Sequence, residues 1–361
     1  MSVRMMPGAS LTWLVLLVSV VSAHAEMPPI AGKPVVDTPQ LLAWPVDTSP
    51  AGPDLHDPDS NVLYDLHGQV TSCDLVLSTE GNYHMVLRDI WPLLLRSLSA
   101  HHIAWHNVLY TTSPPIFIPQ LKSGTVRFDN LNMNCRPSVA VGSKAAIDKL
   151  VAQGYADGRP IPLYEDRGDV ILVKKGNPKH IVSVWDLGRT GVHLVTPNPE
   201  GEPGAYISYR NAIYNIAKAD KHPPPGWTAK KLINTIFNGA SGDPDKWLTG
   251  YRIHHRDEPW SVAYGKADAA IILYHLGRYT VETFPDLFEI VPLGGTTEDP
   301  QPLPGNRTDV RYVAAIKGHW SSTQAQARDI LLQLLLSDDF TLSLERHGLL
   351  RPPGYTGERQ Q

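Results

Sequence analysis

The stretch 74-DLVLSTEGNYHMVL-87 begins as a buried strand, breaks at Ser78-Thr79-Glu80-Gly81-Asn82 and resumes as a helix. A strand that feeds through small polar residues into a helix presents the unpaired N–H groups of the first helical turn, and the helix dipole adds positive potential there. Such an end suits a tetrahedral or carboxylate anion. The alternative is that Ser78 or Thr79 simply caps the helix.

Working outward, the first twenty-five residues read as an export signal. Arg4 supplies the positive start, Leu11 to Val21 is an apolar run, and Ala23-His24-Ala25 is an A-x-A cleavage site. Removing residues 1–25 of 361 leaves about 336, more than one core usually serves, so two lobes are expected. Without Arg4 the chain carries 31 basic against 36 acidic residues, a net charge of about −5. No basic tract is present to release counterions, which argues against a nucleic-acid partner. Cys73 and Cys135 are the only cysteines, and an oxidising compartment would allow a disulfide between them. Two small buried cysteines that never meet is the other reading.

Residues 26–72 are rich in Pro, Asp and Gly without sustained period and are expected to form an extended arm. From Asp74 short apolar runs alternate with helix-like stretches, the pattern of an α/β domain. Strands are expected at Leu75 to Leu77, Val108 to Tyr110, "PSVAVG", "RGDVILVKKGNP", "VHLVTPNP", "GYRIHHR", Ala269 to Leu273, Glu289 to Pro292 and Val310 to Ile316. Helices are expected from His84 to Leu98, kinked or divided at Pro92, from Lys144 to Gln153 with Ser143 as N-cap, and from Gly204 to Ala217. Two more are expected at Lys230 to Phe237 and over Gln324 to Leu336, where apolar residues recur at helical spacing.

The hydroxyl-rich strand end recurs. "LVTPNPEGEPGAY" puts Thr196 and Asn198 at the end of a strand, before a helix carrying Tyr206 and Tyr209, and "YTTSPP" loads Thr111 to Pro115 in the same way. Ligands collect at the carboxyl ends of strands in open α/β sheets, so three such ends predict one shared cleft. The order of residues resembles type II periplasmic solute-binding proteins, especially the molybdate, tungstate and sulfate binders. The likeness runs through "DLVLSTEGN", "VAVGSKAAIDKLVAQG", "RGDVILVKKGNPKHIVSVWDL", "VHLVTPNPEGEPGAYISY", "GKADAAIILYHLGRY" and "LLLSDDFTLSLERHGLLRP".

The resemblance implies two α/β lobes enclosing one solute on hinge closure. It divides the chain into a signal (1–25), an arm (26–72), the first part of lobe 1 (73–166), lobe 2 (167–270), and a return to lobe 1 with C-terminal helices (271–361). "EDRGDV" would be the first crossing and the region around "DAAIILYH" the return. Carried over by position, Ser78 and Thr79, with Gly81 and Asn82, supply the first loop. Thr111 belongs to the second loop, Thr196 and Asn198 to the lobe 2 loop, and Tyr206 lies near the ligand. The family's short first loop is here Ser-Thr-Glu-Gly-Asn, and Glu80 would repel an oxyanion if it pointed inward.

Four further readings complete the sequence. On a strand, His254 and Arg256 of "YRIHHRDEPW" face one way and His255 the other. Arg256 could fork onto an oxyanion or pair at the surface with Asp257 or Glu258. Arg167, beside Gly168, is a hinge or ligand residue or else part of a surface turn. His101, His102 and His106 lack the carboxylates, cysteines or spacing of a metal site. No catalytic motif or cofactor signature is found.

The expectation is therefore a periplasmic, monomeric binding protein for a molybdate- or tungstate-like oxyanion, delivered to a membrane permease. Two alternatives stand beside it: a sensor that docks on a receptor kinase, and an exported enzyme using His255 as general base.

Overall fold

The computed structural model describes residues 66–67, 75–103, 108–111, 118–124, 126–128, 131–133, 136–156, 158–250 and 253–355. The expected signal, most of the arm, the A-x-A site, Cys73, Cys135 and His106 lie outside them.

Two mixed sheets carry the structure. The first, in spatial order, contains β1 (Leu66–His67), β3 (Val108–Thr111), β2 (Leu75–Ser78), β6 (Val139–Ser143), β13 (Val310–Ala315) and β7 (Ile161–Glu165). The second contains β10 (Trp247–Thr249), β9 (Leu194–Thr196), β11 (Ala269–Leu273), β8 (Asp169–Lys174) and β12 (Phe288–Pro292). A small antiparallel pair, β4 (Val126–Phe128) and β5 (Leu131–Met133), stands apart.

The second sheet is apolar on both faces because it is covered on both. Along β8, Val170 and Leu172 enter one core while Ile171 and Val173 enter the other; β11 divides Ala270 and Ile272 from Ala269 and Ile271 in the same way. This period of two explains why "DVILV" reads as a continuous apolar run. One face packs on α4 (Pro203–Ala219) and α5 (Ala229–Phe237). The other faces α6 (His254–Ala263) and α7 (Tyr274–Thr283), and its core runs on into that of the first sheet. There Leu75, Leu77 and Val139 meet α1 (His84–Ala100), α8 (Ser322–Leu335) and α9 (Asp338–Arg346). On the opposite face of the first sheet, Ala140 and Ala314 pack on Ile147 and Leu150 of α3 (Lys144–Ala152).

Local signals set several boundaries. Ser143 Oγ accepts from Ala146 N at the start of α3, and Ser321 with Gln324 forms a reciprocal cap on α8. The closing "RHGLLRP" is held by Arg351, which donates to Leu163 O (2.7 Å) and Leu335 O (2.9 Å) and lies 4.2 Å over the Tyr355 ring.

Three expectations need correction. Pro92 neither ends nor divides α1, which is assigned as one helix of 17 residues. "GYRIHHR" is not a strand: β10 ends at Thr249, and the histidines open α6. The chain does not return to the first sheet near Ala269 either, because β11 lies inside the second sheet and β12 at its edge. Re-entry comes only at β13.

Candidate functional site between the sheets

Parallel strands put their carboxyl ends together. In the second sheet β9, β10 and β11 end at Thr196, Thr249 and Leu273, and antiparallel β8 starts beside them, with Asp169 opposite Leu273. In the first sheet β2 and β3 end at Ser78 and Thr111, which are register partners, and β6 ends at Ser143 opposite Arg311 of β13. Only Asp166-Arg167-Gly168 separates β7 from β8, so the two sets of ends face one another across this crossing. The expected residues Ser78, Thr111 and Thr196 thus stand on facing edges, the usual position for ligands in such sheets.

The crossing is tightly held. Gly168 (φ +74°) receives the Asp166 carboxylate on its N–H (2.9 Å) and accepts from Tyr274 N (2.9 Å). Asn306, on the return connection, bonds both the N–H and the C=O of Asp169 (2.8 and 2.9 Å). Arg167 donates to Asp299 Oδ1 (2.6 Å) and Pro300 O (2.9 Å) and lies 5.7 Å over the Tyr274 ring. It therefore ties the outward crossing to the return.

In the first loop Ser78 and Thr79 are buried, and the N-cap residues of the 3-10 turn and of α1, Glu80 and Tyr83, make no side-chain cap. Thr79 Oγ1 shares a 2.5 Å hydrogen bond with the Tyr83 hydroxyl, whose pKa burial pushes up. Glu80 meets Arg311 at 2.7 Å. The loop then reaches the second lobe. The carbonyl of Asn82, next to buried Gly81, accepts from His275 Nε2 at 2.5 Å, and the His84 ring stacks on His255 with centroids 5.4 Å apart. Burial depresses the His275 pKa to about 3, so its ring is neutral, with the proton on Nε2.

In the second lobe Thr196 is fully buried and accepts from Trp247 Nε1 at 2.8 Å. Tyr206 stacks on the same indole at 5.6 Å. Asn198 turns its own loop, with Oδ1 accepting from Glu200 N (2.8 Å) and Gly201 N (3.3 Å). Glu202 then caps α6, accepting from His254 N and His254 Nδ1, both at 2.9 Å. This long-range cap is what makes "HHRDEPW" a helix, and it buries His254, His255 and Arg256 together. His101 and His102 lie exposed at the far end of α1.

The geometry thus sets Asn82 and His84 against His275 and His255, and sets Thr196 and Tyr206 on the Trp247 indole, while Arg167 is committed to the connections. Three acidic groups escaped the sequence reading. Asp166, Asp169 and Glu258 are all buried, and burial raises each carboxyl pKa, that of Asp166 to about 6. Their only signal was position: two sit in "EDRGD" at the crossing, and one follows the histidine pair.

Two sheets joined by crossing segments, with loop ends facing across them, define a two-lobe α/β binding fold of the type II periplasmic kind. The bacterial extracellular solute-binding protein family model matches residues 137–350, and the chain belongs to that family. It is similar in structure to the sulfate-binding protein SubI of Mycobacterium tuberculosis H37Rv (14% identity, TM-score 0.51, covering 78% of this chain and 87% of that one). It is also similar to the periplasmic molybdate-binding protein of Azotobacter vinelandii (14%, 0.47, 77% and 99%) and to iron-bound HitA of Pseudomonas aeruginosa (14%, 0.48, 78% and 89%). At these identities the likeness is one of fold. No functionally curated protein matches the chain. Among the described residues no helix is long and apolar enough to cross a membrane.

Proposed function

We propose that the chain, exported with its signal removed after Ala25, captures a small solute bearing a tetrahedral oxyanion between its lobes and passes it to an ABC-type membrane transporter. Family membership supports the solute-binding role. The observation that carries the oxyanion is the Glu80–Arg311 pair: the one acid in the first loop is neutralised at 2.7 Å. Ser78 and Thr79 bring hydroxyl groups beside the N–H groups of the helical start. Thr111 and Thr196 add hydroxyl-bearing positions at neighbouring and facing strand ends. Closure gains energy only from contacts made when both lobes reach the solute.

The test is a melting panel on the exported chain with molybdate, tungstate, sulfate and chloride. A ligand at one hundred times its Kd stabilises by about 2.7 kcal/mol, so an oxyanion should raise the melting temperature by several degrees while chloride leaves it unchanged. Indifference to every oxyanion, inorganic or organic, would refute the reading.

A further inference from the structure

Three buried side chains at the floor of the second lobe carry unpartnered polar atoms. Glu258 of α6 is fully buried, and neither carboxylate oxygen has a hydrogen-bond partner. Asp169, 5% exposed at the start of β8, has an unpartnered Oδ1. His254, 3% exposed, pairs with Glu202 through Nδ1 at 2.9 Å, and its Nε2 is unpartnered.

His254 and Asp169 lie about Tyr209 of α4, and Glu258 stands one helical turn on from His254 in α6. The His254 ring stands edge-on to that of Tyr209 at 5.5 Å, and the Tyr209 hydroxyl receives Leu273 N at 3.4 Å, directly across the ladder from Asp169. The Glu258 and Asp169 carboxylates are the first two charges that, after burial, push the Tyr209 pKa up. The charges acting on Glu258 are those of Glu202, Asp257 and Asp169, and those acting on Asp169 are Asp166 and Asp309, every one of them negative. A buried acceptor without a donor, and a buried carboxyl without a cation, are both costly, and one ligand group could relieve both.

No group of three or more His, Cys, Asp or Glu among the described residues could hold a metal ion, so the three side chains do not close on a single point. An organic ammonium suits the floor. It brings N–H donors and a positive charge to the unpartnered carboxyl oxygens around Tyr209, whose ring adds an aromatic surface.

We infer that the floor formed by Asp169, Glu258 and His254 receives a primary ammonium group, so that the solute is a zwitterion with its oxyanion at the first-lobe loop. The oxyanion end rests on the reading given above; the ammonium end does not.

The test is calorimetric titration of the exported chain with four probes: 2-aminoethylphosphonate, its uncharged-tail counterpart propylphosphonate, molybdate and propylammonium. The aminophosphonate should bind at least about 30-fold more tightly than propylphosphonate, the scale of charge-assisted hydrogen bonds to a buried carboxylate. Glu258→Gln and Asp169→Asn should each shrink that ratio, as judged on whichever variant melts cooperatively, and the wild-type ratio decides even if neither folds. Equal affinity for the two phosphonates, or binding of molybdate alone, overturns the ammonium site and leaves the oxyanion reading intact. Binding of propylammonium with no oxyanion bound does the reverse. No binding by any of the four overturns both.

Discussion

Replacing Thr196 by valine separates what this hydroxyl does for the fold from what it offers a solute. Its Oγ1 accepts from Trp247 Nε1 at 2.8 Å inside a box formed with Tyr206 and Phe237, the latter 5.1 Å from the indole. Thr196 is fully buried and Trp247 is 2% exposed, so water cannot replace the lost acceptor without rearrangement. Valine keeps the volume and strands the indole N–H, which costs about 2 kcal/mol. In a chain of this size each kcal/mol moves the melting temperature by roughly 2–4 °C, so Thr196→Val should melt about 4–8 °C lower. Thr196→Ser keeps the acceptor and loses one methyl group, about 1 kcal/mol, and should fall by about half as much. The Thr196–Trp247→Phe double-mutant cycle should return a coupling of about 1 kcal/mol. The hydroxyl proton has only the Pro197 carbonyl at 3.3 Å, a weak partner. It therefore remains available to an oxyanion, and serine should keep solute affinity where valine loses it. A valine variant as stable as wild type, or more stable than the serine variant, would refute the bond's structural role.

Two further outcomes concern the crossing between the lobes. Burial pushes the Asp166 carboxyl from 3.8 up to about 6, despite hydrogen bonds from Gly168 N and Asp309 N. A raised folded value means that its stabilising contribution is complete below pH ~4 and is lost as pH rises through 6, a change of roughly 3 kcal/mol. The melting temperature of Asp166→Asn relative to wild type should therefore climb between pH 4 and 7, and a parallel pair of curves would contradict the assignment. Gly168→Ala would set a Cβ at φ +74° and 2.8 Å from Asn306 Oδ1. It should cost about 1–3 kcal/mol in chemical denaturation, and an unaffected midpoint would show that the crossing relaxes freely.

What the sequence made legible was whatever its own neighbours determine. The Ser143 cap, the Ser321–Gln324 reciprocal cap and the apolar runs of β8 and β11 depend on residues within a few positions, and they stand close to where the pattern put them. The hydroxyl-bearing ends of β2, β3 and β9 were legible for the same reason. The misread "YRIHHR" had a distant cause, since α6 is capped by Glu202, 52 residues upstream of His254. The Glu80–Arg311 pair spans 231 residues and the Arg167–Asp299 pair 132, separations over which no periodicity carries information. Whether Glu80 repels an anion was therefore undecidable until its partner was seen.

The buried acids show the same limit from the other side. Glu258 follows Asp257, and in sequence the two look like one acidic helix start. In the fold Asp257 accepts from Ile253 N (3.1 Å) and serves its own helix, while Glu258, one position on and turned by about 100°, is driven into the floor. For stability alone, an apolar side chain of similar volume would do better there, because a buried carboxyl without a hydrogen-bond partner works against the fold. Local rules broken in this way are expected where function takes precedence over packing. A solute that supplies the missing donors would bind the closed form better than the open one, since the acceptors lie on the second lobe and the oxyanion loop on the first. That difference in affinity is the whole of what a ligand can contribute to closure. The groups that weaken the empty protein would thus be the ones that make its closure depend on the solute.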